Sequence, residues 1–171
     1  MPPMPSADRF TRADQMETLS ARPAEAFPGF TLRVLARNRS IREALADVRI
    51  RLGVMALAEE ELTTVEVVLA EVMNNVAEHA YAWRRDGEMV LGIRQSADGL
   101  LISVTDDGRP MPDAELPFGE HLDPTVPLGD MPEGGFGWLI IRQLALDVAY
   151  VRQHGVNQLS FRVVVGVRRA G

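Results

Sequence analysis

Glu71, Asn75 and His79 fall at i, i+4 and i+8 of the stretch EVMNNVAEHAY, residues 71–81. Helical spacing puts a carboxylate, a carboxamide and an imidazole toward one stripe. Val72, Val76 and Ala77 give the same helix an apolar side to bury. Glu with Asn one turn on offers two hard oxygen donors, a pair suited to Mg²⁺ and its waters. Two later segments carry further candidates. Ile102-Ser103-Val104-Thr105-Asp106-Asp107-Gly108-Arg109-Pro110 reads as a strand ending in Asp-x-Gly. Glu133-Gly134-Gly135-Phe136-Gly137-Trp138 sets a Gly-x-Gly at the start of an apolar helix. Each alone has a plain structural reading, as a solvated helix face, a turn or a flexible loop end.

These residues need elements to position them. Residues 1–26 are rich in Pro, Ala, Arg and Asp with little periodicity, and are expected to be a mobile tail before one domain, 27–171. The segment 30–36 alternates as a half-buried strand does. Asn38 or Ser40 is expected to cap a helix with Ile41, Leu45, Val48 and Leu52 at helical spacing. Glu59, Glu60 and Glu61 suit the positive end of the next helix, which runs through Val65, Val68, Leu69 and Val72 to about Tyr81. A turn at 84–87 leads to strands 89–95 and 100–105, joined through Ala97-Asp98-Gly99, a hairpin signal. From 107 to 133 the chain carries six prolines and no period, which predicts a lid. A helix over 135–146 and strands over 148–153 and 158–167 complete the domain. The predicted class is α+β, with helices layered on one face of a mainly antiparallel mixed sheet.

The chain has 171 residues and a net charge of −6, enough for one domain with a single core. It has no long basic run, so an electrostatic grip on nucleic acid is not expected. No apolar run approaches the roughly 20 residues of a membrane span. Met1-Pro2-Pro3-Met4-Pro5 lacks the features of a secretory signal, so a cytoplasmic location is expected. The absence of cysteine excludes disulfides, thiolate zinc sites and cysteine nucleophiles. All 18 basic side chains are arginine. A Walker-type phosphate loop and a protein-kinase fold both require lysine, and both are excluded. Phosphate would have to be held by backbone N–H groups, metal, or arginines such as Arg84, Arg85, Arg109 and Arg142.

The order of the three motifs resembles the GHKL (Bergerat-fold) ATPases, and more closely the anti-sigma-factor serine kinases of the RsbW and SpoIIAB type. The likeness runs from about residue 27 to 167 and takes in Gly134-Gly135-Phe136-Gly137-Trp138-Leu139-Ile140-Ile141 and Asn157-Gln158-Leu159-Ser160-Phe161. It implies a Bergerat α/β sandwich and an ATP- and Mg²⁺-dependent serine/threonine kinase. Such a kinase phosphorylates a serine on an anti-sigma antagonist (STAS-type) protein, otherwise binds a sigma factor, and commonly forms a homodimer. By the same resemblance, Asp106 accepts a hydrogen bond from the exocyclic amine of adenine, and Gly108 lets the backbone approach the ring. Gly134, Gly135 and Gly137 close over the triphosphate at the positive end of a helix. Asn75 binds Mg²⁺, and Glu71 is the general base toward the attacking hydroxyl. Ser160, where relatives often carry Thr, keeps a hydroxyl for a water-mediated contact to adenine. His79 is expected to pack and orient the helix end, Trp138 and Phe136 to pack core and lid. Glu133 stands where some relatives have Arg, so the second reading is an ATP/ADP-sensing binding module with little kinase activity.

Overall fold

The structure, a computed structural model, describes residues 29–55, 57–84, 86–117 and 136–166. The predicted tail, most of the predicted lid, and Arg85, Glu133, Gly134 and Gly135 lie outside the described residues. Strand β1 (Phe30–Leu35) leads into helices α1 (Asn38–Gly53) and α2 (Glu59–Asn75). Strands β2 (Glu88–Ser96) and β3 (Gly99–Asp106) follow, then α3 (Phe136–Leu144), β4 (Leu146–Gln153) and β5 (Val156–Val163). The sheet order is β1-β2-β3-β5-β4, and every one of these pairings is antiparallel.

Alternation decides which face of the sheet is covered. Met89, Leu91, Ile93, Leu100, Ile102, Val104, Leu159, Phe161 and Val163 share one buried face. They join one core with Val48 and Leu52 of α1, Val65, Leu69, Val72 and Met73 of α2, and Trp138 and Ile141 of α3. Leu101, Ser103 and Thr105 point the other way and are only half-buried. The α+β layering with helices on one face is thus as predicted. Among the described residues no helix is long and apolar enough to cross a membrane.

Three local departures from the sequence pattern shape the site. Helix α1 starts at Asn38 itself, with Arg37 in the capping position and no side-chain cap; Arg37 Nε instead donates to Ser40 Oγ at 3.1 Å. Asn38 is therefore free to serve another purpose. Helix α2 does begin as expected: its first turn holds Glu59, Glu60 and Glu61, and Glu61 Oε2 accepts from the Ala58 N–H at 2.7 Å. It does not run on regularly to Tyr81, however. After Asn75 it widens into a π turn, Val76–Ala80. Finally, β5 starts at Val156, two residues earlier than the predicted Gln158. His154 (φ 51°) and Gly155 (φ 83°) make a tight two-residue hairpin, and positive φ at both positions suits such a connection. Asn157 is thereby drawn into the ladder opposite Asp106.

Candidate functional site

Helix α2 is held by its apolar face, and its opposite stripe lines a cleft of about 390 Å³. Glu71, Asn74, Asn75 and Glu78 come from α2 and its π turn, Asn38 from α1, Trp83 from the turn beyond, and Phe136 and Gly137 from α3. A Cβ at Gly137 would stand 2.6 Å from Glu71 Oε2, 3.5 Å from Asn75 Oδ1 and 3.6 Å from Asn75 Nδ2. Only glycine lets α3 begin so close to those two side chains. Asn75 Nδ2 is buried and has no hydrogen-bond partner among the described residues. An unpaired buried donor of this kind costs about 1–3 kcal/mol, and such sites call for an explanation. No cationic side chain is among the described residues lining the cleft.

The helix end is built unusually. Trp83 N–H bonds to Ala77 O at 2.8 Å and Tyr81 N–H to Val76 O at 3.2 Å, after which Ala82 (φ 49°) and Trp83 (φ 58°) both adopt left-handed backbone. Neither residue takes that region easily. Such strain gathers at functional sites, and a π turn does so too. The loop after β3 docks on this end: Arg109 N–H donates to Ala80 O at 2.9 Å. A Cβ at Gly108 would come within 2.7 Å of both Ala80 Cβ and Ala80 O. Gly108 is thus required by packing on the helix. Ala80 ends the π turn that follows Asn75, so the loop lies further along the same element.

Asp106 (7 % exposed) and Asn157 (4 %) are the buried polar residues among those described, and they face each other across β3 and β5. Asp106 Oδ1 accepts from Asn157 Nδ2 at 2.7 Å and from Gly108 N–H at 2.9 Å. Burial pushes the Asp106 carboxyl above the ordinary aspartate value; those two hydrogen bonds pull it back, Asp107 adds to the rise and Arg152 opposes it. Next to it, the Tyr81 hydroxyl lies 2.5 Å from Asp107 Oδ1 and 2.6 Å from Glu88 O, and accepts from Asp107 N–H at 3.1 Å. Burial, then the bond with Asp107, pushes its pKa up to about 12. The phenol therefore stays protonated and pins the start of the loop.

The predicted residues thus divide into groups. Glu71, Asn75 and Gly137 meet in the α2 cleft, and Asp106 and Gly108 meet at the far end of the same helix. Gly135 lies outside the described residues. Ser160 is not brought to Asp106: it is three residues from Asn157 on a period-two strand, faces the other side of the sheet, and pairs with Ser103 and Ala149. Asn157 holds the place beside Asp106. His79 is exposed and does not line the cleft, whereas Glu78 does. Asn38 and Trp83 lie outside the motifs, whereas Asn74 and Glu78 lie within 71–81, at i+3 and i+7 from Glu71 on the stripe that lines the cleft. Trp138 is buried in the core as expected.

Around one helix the fold thus gathers a carboxylate beside a carboxamide, a buried Asp at the end of a central strand, and a third helix with glycine at its second residue. The chain belongs to the histidine kinase-like ATPase domain family, which matches residues 34–163. Within it, the chain is similar to the serine-protein kinase RsbW of Oceanobacillus iheyensis, 31% identical over 104 residues. That match covers 60% of this chain and 65% of the relative, just under two thirds of its length. RsbW of Halalkalibacterium halodurans is 31% identical over 119 residues, 68% of this chain and 69% of the relative. RsbW of Bacillus mycoides is 27% identical over 127 residues, 72% and 76% of the two chains. A crystal structure of the RsbU and RsbW domains of Rv1364c from Mycobacterium tuberculosis superposes with a TM-score of 0.56. It is 16% identical and covers 81% of this chain and 33% of that one, a likeness of fold.

Proposed function

We propose that this chain is an ATP-dependent serine protein kinase that phosphorylates an anti-sigma antagonist of STAS type and otherwise holds a sigma factor. The observation that carries the reading is the approach of Gly137 to Glu71 and Asn75 around an unpaired buried amide. Adenine is read at Asp106, whose hydrogen bonds among the described residues both fall on Oδ1 and leave Oδ2 for the exocyclic amine. Gly137, in the first turn of α3, offers its backbone N–H to phosphate oxygens, and the family resemblance gives Gly135 the same role.

The residues present fit Mg²⁺. A half-turn of the Asn75 amide exchanges its O and N, so the unpaired position can present Oδ1 to a metal. No cluster of three acidic or His ligands occurs among the described residues, which suits an ion that keeps waters and takes phosphate oxygens. When bound, Mg²⁺ supplies the positive charge that the described cleft lining lacks. Glu71 accepts the proton from the serine Oγ as that oxygen bonds to the γ-phosphorus. The bond from that phosphorus to the β–γ bridging oxygen breaks, and ADP leaves with its electron pair.

Labelled ATP and a STAS-domain acceptor test this directly. Wild type is expected to transfer label to serine, and Glu71→Gln to bind ATP with near-normal affinity but transfer none. Undiminished transfer by Glu71→Gln removes Glu71 as the base. ATP binding by wild type without transfer favours the nucleotide-sensing module instead.

A further inference from the structure

We infer that Tyr150 and Arg152, on edge strand β4, set which purine this site takes, by fixing the Asn157 amide against Asp106. The inference rests on Asp106 reading the base, and extends it to residues that touch no ligand.

A carboxamide has two donor hydrogens and two acceptor lone pairs. Those of Asn157 are all engaged. Its Oδ1 accepts from Tyr150 OH at 2.7 Å and from Arg152 Nη1 at 2.5 Å. Its Nδ2 donates to Asp106 Oδ1 at 2.7 Å and to Arg109 O at 3.0 Å. Asn157 thus has nothing left for a ligand; it is a positioning residue. The amide could in principle turn over, but arginine has no acceptor and never loses its proton. A turned amide would press NH₂ against the guanidinium and set two acceptors face to face at Asp106. Arg152 forbids that, and Tyr150 reinforces it.

The same two side chains hold the loop that follows Asp106. Arg152 Nη1 also donates to Gly108 O at 3.0 Å, and Tyr150 OH accepts from Met111 N–H at 3.0 Å. The charged and titratable groups facing Asp106 are Asp107 from its own loop, Arg152 from β4 and Tyr81 from the helix end. Arg152 is the cation among them. Removing it frees the amide and favours a protonated Asp106. The chemical consequence is specific. A carboxylate accepts from a 6-amino purine and repels a 6-oxo purine, whereas a protonated carboxyl can donate to the 6-oxo group. The choice of base therefore depends on Arg152.

Inosine triphosphate carries a 6-oxo group and an N1–H where ATP has a 6-amino group and a bare N1, so titration of the full chain with Mg-ATP and Mg-ITP across pH tests the effect. Wild type is expected to prefer ATP by about tenfold or more, and Asp106→Asn to lose that preference. Arg152→Met is expected to reduce it several-fold and to move the acid limb of ATP binding to higher pH. Tyr150→Phe should do the same more weakly, and Arg152→Lys should restore part of the preference. A shifted limb separates this role from general loosening, which would weaken both nucleotides alike. If wild type binds ATP and ITP equally, the adenine reading of Asp106 falls and this inference with it. If wild type prefers ATP and neither Arg152→Met nor Tyr150→Phe changes preference or pH profile, this inference alone is overturned. Should Arg152→Met not fold, Tyr150→Phe and Arg152→Lys decide the matter by the same readouts.

Discussion

Replacing Gly137 by Ala separates the catalytic geometry from the stability of the fold. The new methyl would lie 2.6 Å from Glu71 Oε2, about 0.8 Å inside an ordinary contact beginning at 3.4 Å. The carboxylate ends a flexible side chain, so it can swing aside at about 0.5–1.5 kcal/mol of rotamer strain. Against that, Ala in a helix is better than Gly by at most about 1 kcal/mol, and less at the second residue of α3. The two effects nearly cancel, so the thermal midpoint without nucleotide should stay within a few degrees of wild type. Turnover should fall sharply. A displacement of this size in a group that must meet the reacting atom can lower the rate about 10²-fold. The assay pairs thermal unfolding with single-turnover phosphotransfer, in wild type, Gly137→Ala, Glu71→Gln and the double variant. If the methyl acts through Glu71, it should cost the double variant nothing further. Wild-type turnover in a folded Gly137→Ala protein would refute the assigned position of Glu71. A stability loss of several kcal/mol would show that the neighbour cannot yield.

Gly87→Ala should act in the opposite sense, because its Cβ would meet Tyr81 Cγ at 2.5 Å and that ring is buried and pinned by hydrogen bonds. Urea denaturation should show a loss of about 1–3 kcal/mol from overpacking, and an unchanged midpoint would contradict the packing. Asp106 has a raised folded-state pKa, so ATP affinity should be full above that pKa and fall as pH drops through it. Calorimetric titration should find this acid limb raised above that of an unperturbed aspartate, and a limb at or below it would tell against the buried carboxylate. By linkage, the apo protein carries the cost of the buried charge above the raised pKa and is free of it below the unfolded value. Asp106→Asn should therefore leave apo stability at neutral pH equal or higher, and a clear loss would mean that the charge itself stabilises the fold.

Much of the layering could be read in the sequence because period 2 and period 3.6 are strong signals in β2, β3 and α2. The positions of Glu71, Asn75, Asp106 and Gly137 were legible for a different reason: motif order along the chain. The features that the sequence hides depend on contacts distant along the chain. Asn157 looks like an ordinary strand residue until the hairpin at His154 and Gly155 sets its register against Asp106, 51 residues away. Ser160 looks equivalent because it carries a hydroxyl, yet three steps along a strand put it on the other face. The π turn has no sequence signal in Val76–Ala80, and nothing in the Asp-x-Gly motif shows that Gly108 also makes room for Ala80.

One helix thus organises both halves of the candidate site, and its irregular end supports the second. The regular part of α2 faces the cleft with carboxylates and carboxamides only, so it can order a metal, water or hydroxyl but cannot neutralise phosphate. The π turn and the left-handed pair Ala82 and Trp83 then stop the helix where the Gly108 loop can dock on Ala80 O. That contact fixes Arg109, and through Arg109 O and Gly108 O it meets the Asn157–Arg152 network from the other side. Asp106 is therefore braced between a helix end and an edge strand. The strain at Ala82 and Trp83 has a structural counterpart in this bracing. A change that relaxed the turn should loosen the loop at Asp106 before it disturbed Glu71 and Asn75, which sit on regular helix packed by Val72 and Met73.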